Sequence, residues 1–346
     1  MTIFLFMSFE KEVTIYDIAK ELDLSASTVS RALKGNPAIK QSTREKVAAC
    51  AEKYGYRSNA FASNLRRKRT YTIGVIIPRL DSDFMSTCMA GMEEVASERG
   101  YNMIISQSHE SVKKEAENAK TLYESRVDGV IASLTIENSQ LDHFNRFREK
   151  KIPVVFFDRI PKQTNSVCVL INNQQAASQA TRHLIDQGCR NILHLTIDSL
   201  SNVYVDRRAG FESALKEAGC EGEIICLESL CLESGKEVVD RIVDRYPGVD
   251  GIFAANDLAA VGCMLELKSR GIRIPEEIKI VGFNDDPVSV IVSPQLTTIS
   301  YPGRDAGIVA TSSLIDYLDG NHETIASQKL LLETDLIIRE SSARVI

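Results

Sequence analysis

The sequence predicts a small all-α head followed by a two-lobed α/β body of parallel sheets flanked by helices. Three observations point there. Residues 14–55 hold three short helical patterns, each with its own start and stop signals. From residue 71 onward, apolar runs of strand length alternate with amphipathic helical stretches. Two segments of that body also echo each other, which suggests one α/β unit used twice.

Composition sets the bounds. A chain of 346 residues is long enough for two or three domains, and 44% hydrophobic with 25% charged residues is the balance of a soluble globular protein. No run approaches the ~20 apolar residues of a membrane span, so no membrane partner is expected. The opening "MTIFLFMSFEKE" lacks a basic n-region and a small-residue cleavage site. Residues 1–12 are therefore expected to be a disordered leader rather than a signal peptide, with Met7 an alternative start. Eight scattered cysteines without a CxxC pair suggest reduced thiols in a cytoplasmic protein. The net charge of −6 is unevenly spread: residues 1–70 carry +6 and residues 71–346 carry −12. A basic head on an acidic body points to a head that meets a polyanion.

The head spans 13–58. Thr14 followed by Asp17 is a capping-box pattern, after which Ile15, Ile18, Ala19 and Leu22 share one face. A tight turn at Asp23, a residue that tolerates the left-handed conformation, leads to a second helix capped by Ser25 and stopped by Gly35. Ser42 and Glu45 form a second capping-box pattern for a third helix that turns Val47, Cys50, Ala51 and Tyr54 inward and ends at Gly55. This is helix-turn-helix spacing. In "SASTVSRALKG", residues 25–35, Val29, Ala32 and Leu33 are expected to face the core. Ala26, Ser27, Ser30, Arg31 and Lys34 then face out. Small outward groups let a helix enter a major groove about 12 Å wide. Arg31 can fork onto guanine, Ser27 can bond a base edge, and Ala26 can touch a thymine methyl. The alternative is an ordinary solvated helix face.

Residues 59–70 read as a hinge. Asn59 can cap a short helix carrying Phe61 and Leu65, and four cations, Arg66 to Arg69, follow. They repel one another alone and are attracted to phosphates, while a leucine on such a helix can wedge into the minor groove. A solvated linker is the competing reading.

These residues carry a resemblance. "TIYDIAKELDLS", "STVSRALKG", "STREKV", "GYRSNAFASNL" and "RT" resemble the DNA-binding domain of the lactose-repressor (LacI/GalR) family of bacterial transcription regulators. The resemblance places Ala26, Ser27 and Arg31 at base-reading positions and Leu65 at the minor-groove position. The DNA-contacting set it implies is Thr14, Tyr16, Ser25, Ala26, Ser27, Thr28, Ser30, Arg31, Lys34, Asn59, Ala62, Leu65 and Arg66. Ser58 stands where family members often have proline, and Ser63-Asn64 replaces a more basic pair. One head reads only a few base pairs, so a homodimer on a near-palindromic double-stranded operator is expected.

In the body, strands are expected at 72–77, 102–106, 128–133 and 153–158, then at 191–195, 223–227, 250–256 and 278–283. "AGMEEVASERG" (90–100) echoes "AGFESALKEAG" (209–219), and "VDGVIASL" (127–134) echoes "VDGIFAAN" (249–256). Two such lobes form a cleft at the carboxyl ends of their strands, where open α/β sheets bind ligands. The body, 71–346, resembles the periplasmic-binding-protein-like, sugar-binding effector domain of that family. Its N-lobe is expected at about 71–171 plus 302–330, and its C-lobe at about 172–301 plus 331–346.

Polar residues at strand ends are the effector-site candidates: Asp83, Phe84, Asp158, Arg159, Arg207, Asn256, Asp257 and Asp285, with Asn284 beside the last. Carboxylates, amides and an arginine around an aromatic platform suit the hydroxyls of a small carbohydrate. Asp83, Asp257 and Asp286 can equally be helix N-caps. The Arg207 assignment comes mostly from the resemblance, which also implies a repressor controlled by a sugar or sugar derivative. No GxSxG, P-loop, HExxH or GxGxxG occurs, and the five histidines show no metal spacing. His194 is expected to be a satisfied core residue. No catalysis, metal or cofactor is therefore expected. The rival readings are a carbohydrate-binding protein without DNA function and an enzyme on the same scaffold.

Overall fold

The computed structural model describes residues 13–56, 69–137, 141–320 and 328–343. The chain divides at residue 70 into a head and a body.

The head is built from α1 (Ile15–Glu21), α2 (Ala26–Leu33) and α3 (Gln41–Lys53). Ile18, Val29 and Val47, one from each helix, are fully buried, and Ala19, Ala32, Cys50 and Ala51 fill the gaps between them. All three helices stop in the same way. Asp23, Gly35 and Gly55 take φ of 51°, 68° and 61°. That left-handed step lets Leu24, Asn36 and Tyr56 donate their N–H groups to the carbonyls of Ala19, Arg31 and Ala51. Two expectations about α3 need correction. The helix starts at Gln41 after Lys40, and the Ser42–Glu45 box does not form, because Glu45 accepts from the Gln41 amide at 2.9 Å. Tyr54 is exposed rather than inward: its hydroxyl donates to Glu21 at 3.0 Å, and Tyr56 packs on the core instead.

The body holds two six-stranded sheets among the described residues. The first contains β1 (Thr72–Ile77), β2 (Asn102–Gln107), β3 (Gly129–Ala132), β4 (Val154–Phe157) and β5 (Cys168–Ile171). The second contains β6 (Asn191–Ile197), β7 (Glu221–Leu227), β8 (Gly251–Ala254), β9 (Lys279–Asn284) and β10 (Thr297–Ser300). Two late strands divide between them: β11 (Lys329–Leu332) joins the first and β12 (Leu336–Ile337) the second. The orders are β11-β5-β4-β3-β1-β2 and β12-β10-β9-β8-β6-β7. Every pairing is parallel except β10 with β12. The expected strands are present; β5, β10, β11 and β12 were not anticipated.

The repeated sequence has a packing reason. α4 (Asp83–Glu98) lies against α12 (Gly303–Leu318), and α7 (Asn173–Asp186) lies against α8 (Asn202–Ala218). At Gly91 a Cβ would stand 2.1 Å from the Arg304 carbonyl, and at Gly210 one would stand 2.1 Å from the Gln174 carbonyl. The shared Ala-Gly of the two echoes thus puts the same bare backbone at a close helix approach in each lobe.

The chain crosses between lobes after β5, after β10 and between β11 and β12. The last two crossings are tied together: Ser300 N–H donates to the Asp335 carbonyl at 2.8 Å, and Asp335 N–H to Ser300 Oγ at 3.0 Å. In two-lobed domains, short crossings of this kind are the elements that absorb backbone change when lobes move.

Candidate nucleic-acid face and interlobe cleft

On the head, Ser25 caps α2 by accepting from Thr28 N–H at 3.2 Å, and Ser27 and Thr28 hydroxyls lie 2.9 and 2.8 Å from its Oγ. Arg31 is exposed and reaches back along the helix, Nε donating to the Ser27 carbonyl at 3.3 Å. Ser27 and Lys34 are exposed; Thr28 and Ser30 are half-buried. Ala26 departs from expectation, being half-buried and packed on the core, because the first turn of α2 leans on it. Thr14 donates through N–H and Oγ1 to Asp17 at 2.8 and 2.6 Å. Tyr16 is 72% exposed, a large aromatic left outside a very small core. α2 itself carries no acidic residue, so its outer face offers hydroxyls and cations, the groups that bond phosphates and base edges. Asn59, Ala62, Leu65 and Arg66 lie outside the described residues.

In the body a cleft of about 400 Å³ opens between the strand ends of the two lobes. Phe84 and Tyr301 form its aromatic wall, with ring centroids 4.1 Å apart. Arg207 comes from α8 and is almost fully buried. Its Nε donates to Asn173 Oδ1 at 2.9 Å, a terminal nitrogen donates to the Ala255 carbonyl, and the guanidinium stacks 3.4 Å over the Phe283 ring. Burial pulls its pKa below the usual guanidinium range, and the nearby Tyr204 and Asp158 offset only part of this. Asp158 ends β4 with φ of 57° and a buried side chain. Burial raises its pKa, opposed by the Arg159 and Arg207 charges and the Tyr301 hydroxyl.

Arg159 is forked onto Glu110 at 2.7 and 2.9 Å and reaches the Tyr204 hydroxyl of the other lobe at 3.4 Å. Beside it, Asn202 brackets the same strap: its Oδ1 accepts from Ile160 N–H at 2.9 Å, and its Nδ2 donates to the Asp158 carbonyl at 3.0 Å. Ser199 donates to the Ile136 carbonyl at 3.0 Å. Apart from the Arg159–Glu110 pair, which lies within the first lobe, these contacts run from one lobe to the other.

Several expected residues sit differently. The caps lie one residue earlier than Asp83 and Asp257. Ser82 accepts from Met85 N–H at 3.4 Å, and Asn256 accepts from Ala259 N–H at 2.9 Å. Asp83 still borders the cleft, in the first turn of α4, and Asn256 lines it as well. Asp257 does not line it. It is fully buried at the start of α10 (Asp257–Ser269), accepting from Asp286 N–H at 2.7 Å and Thr298 Oγ1 at 2.6 Å. Burial pushes its carboxyl up to about 7. Gly282 makes room for it, since a Cβ there would stand 2.1 Å from Asp257 Oδ1. Asp285 does not line the cleft either: its carboxylate accepts from Arg339 at 2.7 Å and from Ser289 at 3.1 Å. Its neighbours Asn284 and Asp286 line the cleft in its place, and Asp286 is no cap, because the following short helix, Val288–Ile291, starts after Pro287. His194 is in the core, stacked on Phe253 at 4.6 Å with Nδ1 3.0 Å from the Phe253 carbonyl, although Nε2 has no partner.

Known proteins carry the same two-part plan. Residues 14–59 match bacterial regulatory proteins of the lacI family, and residues 70–340 match the periplasmic binding proteins and sugar binding domain of the LacI family. Catabolite control protein A of Priestia megaterium is 34% identical, over 95% of this chain and 99% of its own. The chain belongs to the LacI family. Among other members, the ribose operon repressor of Halalkalibacterium halodurans is 29% identical over 95% of this chain and 97% of its own. A solved structure of the CelR transcriptional regulator in complex with cellobiose superposes with a TM-score of 0.71 at 27% identity, covering 95% of this chain and 100% of that one. The lac repressor dimer bound to operator and an anti-inducer shares the fold, with a TM-score of 0.84 at 23% identity over 96% of this chain and 99% of that one.

Within this LacI-family cleft, sequence reasoning did not select Glu110, Tyr204 or Glu228. Two signals were available. "SHES" follows β2 as the other candidates follow their strands, and Tyr204 lies three residues before Arg207, on the same helix face.

Proposed function

We propose that this protein is a sequence-specific transcription regulator, acting as a repressor. Its operator affinity is set by a small-molecule effector of sugar type bound in the interlobe cleft. The observation that carries the reading is the outer face of α2: Ser27, Arg31 and Lys34 are presented to solvent on a capped, acid-free recognition helix. The positive charge of residues 1–70 supports it. Arg31 and Ser27 are assigned to base edges, and Thr14, Tyr16, Ser25, Thr28, Ser30 and Lys34 to positioning on phosphates. Asn59, Ala62, Leu65 and Arg66 are assigned to the minor groove. In the cleft, Asp83, Phe84, Asp158, Arg159, Arg207, Asn256 and Asn284 are assigned to the effector, and Asp286 is added. Two copies read a near-palindromic site in the cytoplasm, and the cleft binds without turnover, as suits a family of regulators.

Effector binding must favour one lobe arrangement over the other for operator affinity to change. The test is selection of duplexes from a random pool, followed by titration of the selected site at two salt concentrations, with and without sugars. Affinity that is independent of sequence and salt overturns the DNA reading.

A further inference from the structure

We propose that the cleft selects a cationic polyhydroxylated ligand, the class of a hexosamine with a free amine, and rejects phosphorylated and other anionic sugars. This rests on the effector reading above and narrows it. The lining carries three arginines and six carboxylates: Asp81, Asp83, Glu110, Asp158, Glu228 and Asp286. Every arginine is already engaged. Arg79 is forked onto Asp81 at 2.9 and 2.7 Å, and Arg159 onto Glu110 at 2.7 and 2.9 Å. Arg207 is bonded to Asn173 and the Ala255 carbonyl, lies on Phe283, and stands near Asp158.

Of the six, only Asp81 and Glu110 are ion-paired; Asp83, Asp158, Glu228 and Asp286 make no ion pair among the described residues, although Asp158 feels the Arg159 and Arg207 charges. Asp286 is more than nine-tenths buried, and the one side-chain donor to its carboxylate among the described residues is the Asn284 amide, at 3.3 Å. Asp83 belongs to the opposite lobe and lines the same cleft, so the two carboxylates border one space from facing walls. Two like charges from facing walls oppose lobe closure, and a buried carboxylate without a cation is costly. An ammonium seated between Asp83 and Asp286 removes both penalties, whereas a phosphate there meets carboxylates from both sides. The rest of the cleft serves the ring: Asp158 accepts from hydroxyls, Arg207 donates to them, and Phe84 with Tyr301 covers an apolar face.

The experiment is calorimetric titration of the full chain with glucosamine, galactosamine and mannosamine, their parent hexoses, their N-acetyl forms and the corresponding 6-phosphates. At least one free amine is expected to bind about tenfold tighter than its parent hexose and its N-acetyl form, a difference of about 1.4 kcal/mol, with no heat from the phosphates. D83N and D286N are each expected to abolish that preference. Asp83 is exposed, so D83N remains informative if D286N fails to fold. A parent hexose, N-acetyl form or phosphate that binds as tightly as the amine overturns the inference and leaves the effector reading standing. Silence across the whole panel overturns both.

Discussion

The Asp285 carboxylate meets the Arg339 guanidinium at 2.7 Å, within one lobe and away from the cleft. Arg339 arrives on the returning terminal segment and donates as well to Ser289 Oγ at 3.1 Å and the Leu296 carbonyl at 2.9 Å. Asp285 therefore anchors that segment. D285A is expected to lower unfolding free energy by about 1–3 kcal/mol, between the values of exposed and buried pairs, and to leave ligand affinity within about twofold. Urea unfolding and calorimetry read the two quantities separately. Loss of ligand binding at unchanged stability would return Asp285 to the cleft.

Arg31 on α2 and Lys34 at its C-cap are both exposed, and the proposed function assigns them different roles. R31A is expected to relax base preference at a cost of about 1–3 kcal/mol on the selected operator. K34A is expected to weaken all duplexes alike and to reduce the salt slope by about one. Mobility shifts on selected and scrambled duplexes at graded salt distinguish them. Equal discrimination by wild type and R31A would remove Arg31 from the base-reading set.

Asn202 holds the 158–160 strap by both ends of one amide. N202A removes two interlobe hydrogen bonds worth about 1 kcal/mol each. The expected result is faster ligand release at nearly unchanged association, with a larger radius of gyration in small-angle scattering. An unchanged off-rate would show that lobe closure does not depend on this bracket.

Much of this architecture was legible because long apolar periodicities are local. β1, β2, β6 and β9 each carry their own pattern, and the echo around Gly91 and Gly210 exposed the doubled body. The strands missed, Cys168–Ile171, Thr297–Ser300, Lys329–Leu332 and Leu336–Ile337, have two to four residues and exist through partners far away in sequence. The site was legible to the level of the loop and not of the atom. "VGFNDDP" marks a strand end, but which of three adjacent polar side chains face the cleft is set by left-handed backbone at Asn284 and Asp285, φ 117° and 59°. Asp257 was misread for a similar reason: Asn256 took the cap and freed the next carboxylate to turn inward.

That inward carboxylate makes stability depend on pH. Its ordinary pKa is 3.8, and burial, together with the Asp286 and Asp285 charges, raises it to about 7 against the opposing bonds from Thr298 and Asp286 N–H. The folded state therefore holds this proton more tightly than the unfolded chain does. The contribution is fully present below about pH 4 and is lost as pH rises through about 7. The difference amounts to at most about 4 kcal/mol, at about 1.4 kcal/mol per unit. Asp286, raised to about 6, adds a slope of the same sign. D257N keeps an oxygen for the Asp286 N–H and a donor for Thr298 Oγ1, yet carries no charge at any pH. Urea unfolding from pH 5 to 8.5 is thus expected to show wild type losing stability relative to D257N, most steeply between pH 6 and 8. Parallel curves across that range would mean that Asp257 stays ionised in the folded protein and that the two bonds to its oxygens outweigh its burial.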